Sequence, residues 1–280
     1  MGLRLLKLLI SLFLRCSDAI FAACRRLVGN PPSTRCVVLY YHAIRKEFAA
    51  QFAWQMDELF RLTTPVDILD SKPLAQGARY SAVTFDDGFV SVVENALPVL
   101  KKREIPCIIF IPTGSFGRRP LWIDVSHPDG AELVLSADTA RALAADRLVH
   151  FASHSVSHPD FRRLDDQAAK TEFVESKATI ESITGRTVDS FSFPHGAHTL
   201  RSLELARQCG YSRVFTIEPR QMGDPRAEFV VGRIRAEPYD WPIEFRLKVL
   251  GAYRWMTRAS NIKRQLWRMM GSSLELGRGA

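Results

Sequence analysis

Two short runs, distant from each other in the chain, carry the residue types for metal-assisted hydrolysis: Thr84-Phe85-Asp86-Asp87-Gly88 and His154-Ser155-Val156-Ser157-His158. Together they offer a divalent cation two imidazoles and a carboxylate, and they leave a second carboxylate alongside. Such an ion binds neutral imidazole nitrogen and ionised oxygen, and catalysis also needs one position open to water. Neither run decides the matter alone. Paired acids at a strand end also cap helices. Histidines four apart also occur in solvated loops, and Pro159 closes any helix here. Both runs directly following a predicted strand is the stronger signal.

The elements that must position these residues alternate. Segments 36–41, 80–85, 107–112, 148–152, 190–193, 213–217 and 229–234 read as strands, and 52–62, 90–103, 138–145, 165–184 and 200–209 as helices. Strands alternating with helices predict a parallel sheet. This many repeats predict an α/β fold, a distorted, incomplete (β/α) barrel of about seven parallel strands. Strand C-terminal ends form the active face of such barrels. Asp86, Asp87, His154, Pro194 and His195 all follow predicted strands.

Composition agrees with one large folded unit. The chain has 280 residues, 46% hydrophobic and 24% charged, which excludes disorder. Its net charge of +8 is unevenly placed. Residues 1–30 carry five Lys/Arg against one acid, and 241–280 carry eight against two, so the middle is slightly acidic. The expected organisation is a basic amphipathic helix over 1–30, a catalytic domain over 31–240 and a basic amphipathic helical tail over 241–280. The five cysteines are odd in number and lack metal-like spacing. They read as reduced thiols, which favours a reducing compartment.

The first helix is too interrupted to span a bilayer. At helical spacing Arg4, Lys7, Ser11, Arg15, Asp18, Ala22, Arg25 and Arg26 fall in one stripe, with Leu, Ile and Phe elsewhere. A wide apolar face with a narrow basic stripe predicts a helix lying in the interface of an anionic membrane. Packing on the domain or on a partner copy, and a cleaved signal, are the competing readings. In the tail, Trp255 and Trp267 stand beside arginines, as in a headgroup layer, with packing across the catalytic domain as the competing reading. The expected membrane contacts are therefore Arg4, Lys7, Arg15, Trp255 and Trp267. With no convincing cleavable signal, a peripheral or monotopic protein on the cytoplasmic face is expected, with export as the alternative. No nucleic-acid-reading module is present, and the oligomeric state is left open.

The two opening motifs, together with Phe191-Ser192-Phe193-Pro194-His195-Gly196, resemble the polysaccharide deacetylase superfamily, the NodB-homology carbohydrate esterases. Ala96-Leu97-Pro98-Val99-Leu100 and Phe110-Ile111-Pro112-Thr113-Gly114 fit the same pattern, and the likeness spans roughly 35–235. The resemblance implies that Asp87, His154 and His158 hold one divalent metal ion, zinc first among candidates, with Asp86 as general base. It also implies that the Phe193–Gly196 turn contributes Pro194, Gly196 and a backbone N–H to the substrate, and that Trp122 walls the acetyl pocket. Core packing is the alternative for Trp122.

Two features depart from the commonest family pattern. No histidine follows His198 to act as general acid, and no arginine precedes Pro194 to orient the base. The poly-N-acetylglucosamine deacetylase branch is similar in both respects and takes its acid from an early strand. That implies His42, in Tyr40-Tyr41-His42, with His195 as the competing acid or a substrate contact. Arg233 and Arg235 read as solvated strand-end residues or as contacts to an anionic substrate group. The orientation of Asp86 is left unassigned.

The expected function is metal-dependent hydrolysis of the acetamide of an N-acetylated amino sugar, in a glycan or a lipid-linked saccharide, with release of acetate. The alternatives are a soluble polysaccharide deacetylase whose ends pack or dimerise, and an inactive glycan-binding scaffold.

Overall fold

Alternate residues of the parallel strands turn their side chains inward, and this period of two builds the molecule from its floor to its site. The computed structural model describes residues 2–29, 33–70, 72 and 74–259. The strands are β1 (Arg35–Tyr41), β2 (Thr64–Pro65), β3 (Arg79–Phe85), β4 (Cys107–Ile111), β5 (Val149–Ser153), β6 (Ser190–Ser192), β7 (Arg213–Thr216), β8 (Val230–Gly232) and β9 (Ile234–Arg235). They pair in the order β8-β7-β6-β5-β4-β3-β1-β9, with β2 beside β3, and every strand pairing is parallel. The two ends of that path are consecutive in the chain, so the sheet curls into a nearly closed barrel. The expected strand over 229–234 is two short strands split at Arg233.

The barrel interior is floored by Val38, Ala82, Ile108, Phe110, Ala152, Phe215 and Val231. Helices α2 (Ala49–Leu62), α3 (Leu97–Lys102), α4 (Ala137–Leu143), α5 (Asp166–Thr184) and α6 (Leu200–Gln208) lie outside it. Phe161, Phe173, Phe191, Phe193 and Tyr211 fill one outer layer with edge-on ring contacts. The helix expected over 90–103 opens with a π-type turn, Val92–Ala96, before α3. Pro98 has no N–H to give Glu94, and its ring crowds that carbonyl, so the preceding turn widens.

At the chain ends lie α1 (Gly2–Leu27) and α7 (Pro242–Val249). The expected separate tail is, as far as residue 259, part of the same core: Phe245, Leu247, Val249, Ala252 and Tyr253 pack with Tyr41, Phe52 and Phe85. Gly251 in the left-handed region (φ 73°) breaks the helix that the spacing predicted to continue.

Helix α1 presents its polar stripe to the domain and its apolar face away from it. Arg4 pairs with Glu244 at 2.6 Å and covers the Trp241 ring at 4.4 Å. Ser11 is fully buried and accepts the Trp255 indole N–H at 3.0 Å. Asp18 accepts from Arg254 at 2.7 Å. Leu3, Leu9, Phe13, Ile20 and Phe21 face outward and are 62–73% exposed. The expectation for Arg4 and Trp255 is corrected accordingly: acids and a buried hydroxyl engage them, so they fasten α1 to the domain. Lys7 and Arg15 line cavities where α1 meets the domain. Trp267 lies outside the described residues. No helix among the described residues is long and apolar enough to cross a membrane.

Candidate active site

The inward-facing series explains why distant residues meet. Two positions beyond Ala82 comes Thr84, and then Asp86. Beyond Ala152 comes His154, and beyond Val231 comes Arg233. From Val38 the series runs through Tyr40 to His42, and the pairing of Tyr41 with Phe85 sets His42 beside Asp86. The Asp86 N–H donates to the Tyr41 carbonyl at 2.9 Å and locks that register at the strand ends.

Asp87, His154 and His158 converge, all buried, with one ligand atom from each lying within 4.8 Å of the others. The Nε2 atoms of His154 and His158 stand 3.6 and 3.3 Å from Asp87 Oδ1. His154 Nδ1–H donates to the Ser192 carbonyl at 2.7 Å, which leaves the Nε2 lone pair facing Asp87. Asp87 Oδ1 is buried without a hydrogen-bond partner. An orphaned carboxylate oxygen facing two imidazole nitrogens fits a divalent cation. Donors in a tetrahedral set around such an ion lie about 3.4 Å apart.

The backbone is bent to make this cluster. Asp87 (φ 65°), Ser155 (φ 71°), His158 (φ 60°) and His195 (φ 56°) all adopt the left-handed region that side-chain-bearing residues avoid. The second motif is held in that shape from outside. The carboxylate of Glu172, on α5, accepts from the N–H groups of Val156 at 2.7 Å and Ser157 at 3.0 Å. Trp122 stacks on the His158 ring with centroids 4.2 Å apart, so it packs on a ligand as well as walling the cleft.

Arg233 supplies what the third motif lacks. It is fully buried, with Nη1 and Nη2 donating to Asp86 Oδ1 and Oδ2 at 2.7 and 2.8 Å. Further donations reach Thr84 Oγ1 at 3.1 Å and Ser192 Oγ at 2.7 Å. The rings of Tyr40, Phe110 and Phe215 surround the guanidinium at 4.7 to 5.8 Å. Neither solvated nor offered to substrate, Arg233 orients Asp86, which corrects the sequence reading. Its sequence signal was an arginine at an inward position of an apolar strand. Glu172 and Ser192 gave no such signal.

Electrostatics follow from these contacts. Burial pushes the Asp86 carboxyl up, but Arg233, with His154 and His42, more than reverses this and holds it below the usual carboxylate range. Burial acts likewise on Asp87, and His158, His42 and His154 bring it well down. Burial, the largest influence on His154, pushes its imidazole down to about 4. The His154 imidazole is therefore neutral and the Asp87 carboxylate ionised at neutral pH, the forms that could bind a cation. His195 is lowered by partial burial and by neighbouring His158, whose ring it meets edge-on at 4.5 Å.

One cleft of about 490 Å³ contains Asp86, Asp87, His154, His158, His42, His195, Gly196 and Trp122. Pro194 is buried under the turn that carries His195. Gly196 (φ 64°) passes so close to Ile217 that a Cβ would meet its Cγ1 at 2.2 Å. The N–H groups of Gly196 and Ala197 are consumed by the carbonyls of Phe193 and Pro194, both at 2.9 Å, so neither is available to substrate. His198 turns its Nδ1 to the Gly196 carbonyl at 3.0 Å and stands outside the cleft.

A nearly closed α/β barrel with two imidazoles, a carboxylate and an arginine-clamped second carboxylate at its strand ends defines a hydrolase-type site. The sequence profile of the family described as Polysaccharide deacetylase matches residues 75–214, half of the chain, and the chain belongs to that family. Carbohydrate deacetylation is the reaction class that membership carries. The protein YxkH of Bacillus subtilis (strain 168), itself named as a polysaccharide deacetylase, is 25% identical over 215 residues, covering 72% of this chain and 71% of its own. The structure of IcaB from Ammonifex degensii matches with a TM-score of 0.67 and 24% identity, covering 79% of this chain and 98% of that one. The Streptococcus pyogenes deacetylase PplD in complex with acetate matches at 0.59 with 18% identity, covering 74% and 94%. At these identities the two structures establish a shared fold. His42 and Arg233 lie outside the matched segment, and the barrel brings them to it.

Proposed function

We propose that the chain is a metal-dependent N-deacetylase of an N-acetylated amino sugar in a glycan. Asp87, His154 and His158 would hold the ion, and zinc suits a set of two nitrogens and one oxygen, though such a set discriminates weakly among divalent ions. A divalent ion bound there supplies Lewis acidity toward a carbonyl and lowers the pKa of water. The observation that carries the reading is the Asp86–Arg233 clamp beside that set. A buried carboxylate kept ionised, and fixed in rotamer by two hydrogen bonds, is ready to accept a proton.

Asp86 takes a proton from the attacking water as the C–O bond forms at the acetamide carbon. His42, across the cleft from the second motif, gives a proton to the departing nitrogen as the C–N bond breaks. An amide nitrogen needs that proton because its anion is a very poor leaving group. The clamp lowers the basicity of Asp86, so water acidified by an ion is the fitting partner for it. Trp122 and His195 line the cleft where the acetyl group and sugar must sit.

The test is metal analysis of purified protein with acetate release from N-acetylglucosamine oligomers, using Asp86→Asn as the control. The variant is expected to keep stoichiometric metal and lose turnover. Retained turnover would remove Asp86 from the reaction, and wild-type protein that binds no divalent ion would remove the metal.

A further inference from the structure

The catalytic cleft does not end at His195. It shares His195, Gly196, Ile217, Tyr40 and Arg235 with a second cavity of about 680 Å³, which runs on to the N-terminal turns of α1 at Arg4 and Lys7. The charges in that wall largely cancel in pairs: Arg4 with Glu244, Lys248 with Asp240, and Arg235 with Glu237. The rest is dominated by Ile217, Pro219, Ile234, Tyr253 and Met256. Among the described residues Lys7 has no ionic partner, and it is half-buried at the α1 end. A sugar chain, which is hydroxyl-rich, has little use for such a wall. A hydrocarbon chain with an anionic head does.

The outer side of α1 continues the same chemistry. Arg4, Ser11 and Asp18 of its polar stripe are engaged by the domain, and its large apolar side chains face outward together, a patch that marks an interaction surface. At its C-terminal half Arg15, Arg25 and Arg26 meet Arg35 and Arg79 around a cavity of about 170 Å³ in which Asp18 is the one acid. An apolar strip beside five guanidinium groups complements an anionic lipid surface. The helix is about 39 Å long, at the α-helical rise per residue. It runs from the cavity beside the reaction centre to the strand starts at Arg35 and Arg79, so a membrane meeting its outer face would lie along the barrel's flank.

We infer that α1 rests in an anionic membrane and that the cavity beneath it receives the lipid of a substrate whose N-acetyl sugar is carried on a lipid phosphate. The sugar reaches the cleft past His195, the phosphate meets Lys7, and the first part of the hydrocarbon chain lies along Ile234, Tyr253 and Met256. This rests on the deacetylase reading and names its substrate class.

The experiment uses the full chain with vesicles of phosphatidylcholine and phosphatidylglycerol. They carry N-acetylglucosamine joined through a pyrophosphate to a polyprenol, and a water-soluble N-acetylglucosamine oligomer is compared. Acetate release is expected to favour the lipid-linked substrate by at least about tenfold in kcat/KM, the scale of one buried charge contact. Met256→Trp, which narrows the cavity, and Lys7→Ala are each expected to cut that ratio about tenfold. A general loss of folding would lower both rates and leave the ratio alone. Flotation with the vesicles is expected for the wild type and lost in a Leu9→Glu, Phe13→Glu, Ile20→Glu variant. Equal rates on both substrates, an unchanged ratio in both cavity variants, or a dimer that covers α1 and does not float would each overturn the inference. Acetate from the soluble oligomer alone would sink only this inference, whereas acetate from neither would sink the deacetylase reading beneath it.

Discussion

Arg233 and Asp86, separated by 147 positions, meet through two parallel hydrogen bonds of 2.7 and 2.8 Å, the arginine fully buried and the carboxylate at the base of the cleft. The arginine both aims the carboxylate and keeps it charged. Replacing Arg233 with Gln leaves a buried acid without its counter-charge, at a cost of about 3–5 kcal/mol. Burial is then opposed only by His154 and His42, and the carboxyl pKa rises. Activity requires the ionised form, so the acid limb of the pH profile of kcat/KM moves toward neutral pH. Lys at this position restores charge but not the fork, so turnover recovers incompletely. An acid limb unmoved in Arg233→Gln would separate Arg233 from the base. The same pair shapes stability. The folded carboxyl pKa lies below its unfolded value of about 3.9, so the pairing stabilises the fold above that pH and is lost as pH falls through the lower folded value.

His42 and His195 both line the cleft, and leaving-group chemistry distinguishes them. A general acid matters only where the leaving group needs a proton. His42→Gln is expected to slow acetamide hydrolysis by about 10²–10⁴. The loss on an activated aryl acetate, whose phenolate leaves unaided, should be below about tenfold on the same scale. His195→Gln should affect both substrates alike, because a contact residue does not sense the leaving group. The reverse pattern would make His195 the acid.

Much of this was legible in the sequence, and the limits have physical causes. Most strands announce themselves by apolar, β-prone composition, although the two-residue β2 does not, and the strand-end motifs follow from chain order, which is why Asp86, Asp87, His154 and His158 could be assembled without coordinates. The meaning of Arg233 was not legible, because β8 and β9 close the barrel, and only closure sets residue 233 across from residue 86. Its inward parity, two positions after Val231, was available as a clue. What fastens α1 to the domain was hidden for a related reason. The stripe of Arg4, Ser11 and Asp18 was plain, but amphipathicity does not say which face the domain takes when that domain offers Glu244, Trp255 and Arg254. The helix expected past residue 250 is interrupted locally, at Gly251, and resumes over 255–259.

Glu172 touches no reacting group, yet it holds the loop on which His158 sits. Replacing it with Gln removes the charge that two N–H groups share and loosens a backbone already bent into the left-handed region. Groups that orient metal ligands in this indirect way contribute about 10–100-fold in metal affinity. Glu172→Gln is expected to lose that much in competition with a chelator, with kcat near normal once metal is saturating. Unchanged affinity would show that Trp122 and the Ser155 hydroxyl, which accepts the His158 N–H at 3.0 Å, suffice to hold the loop.

The thiols report on α1 independently of activity. Burial pushes Cys36 up to about 12 and raises Cys107 further. Cys36 therefore stays a thiol at pH 8, and the thiolate is the reactive form. Cys16 and Cys24 are exposed, in a groove with Phe13, Ile20 and Phe21 on the outer side of α1. An aromatic disulfide reagent at pH 8 should therefore titrate these two rapidly, half-buried Cys209 more slowly, and Cys36 and Cys107 only after unfolding. Anionic vesicles should then protect Cys16 and Cys24 while leaving Cys209 unaffected, because only the first two lie on the face assigned to the bilayer. Equal protection of all three, or of none, would place α1 away from the lipid.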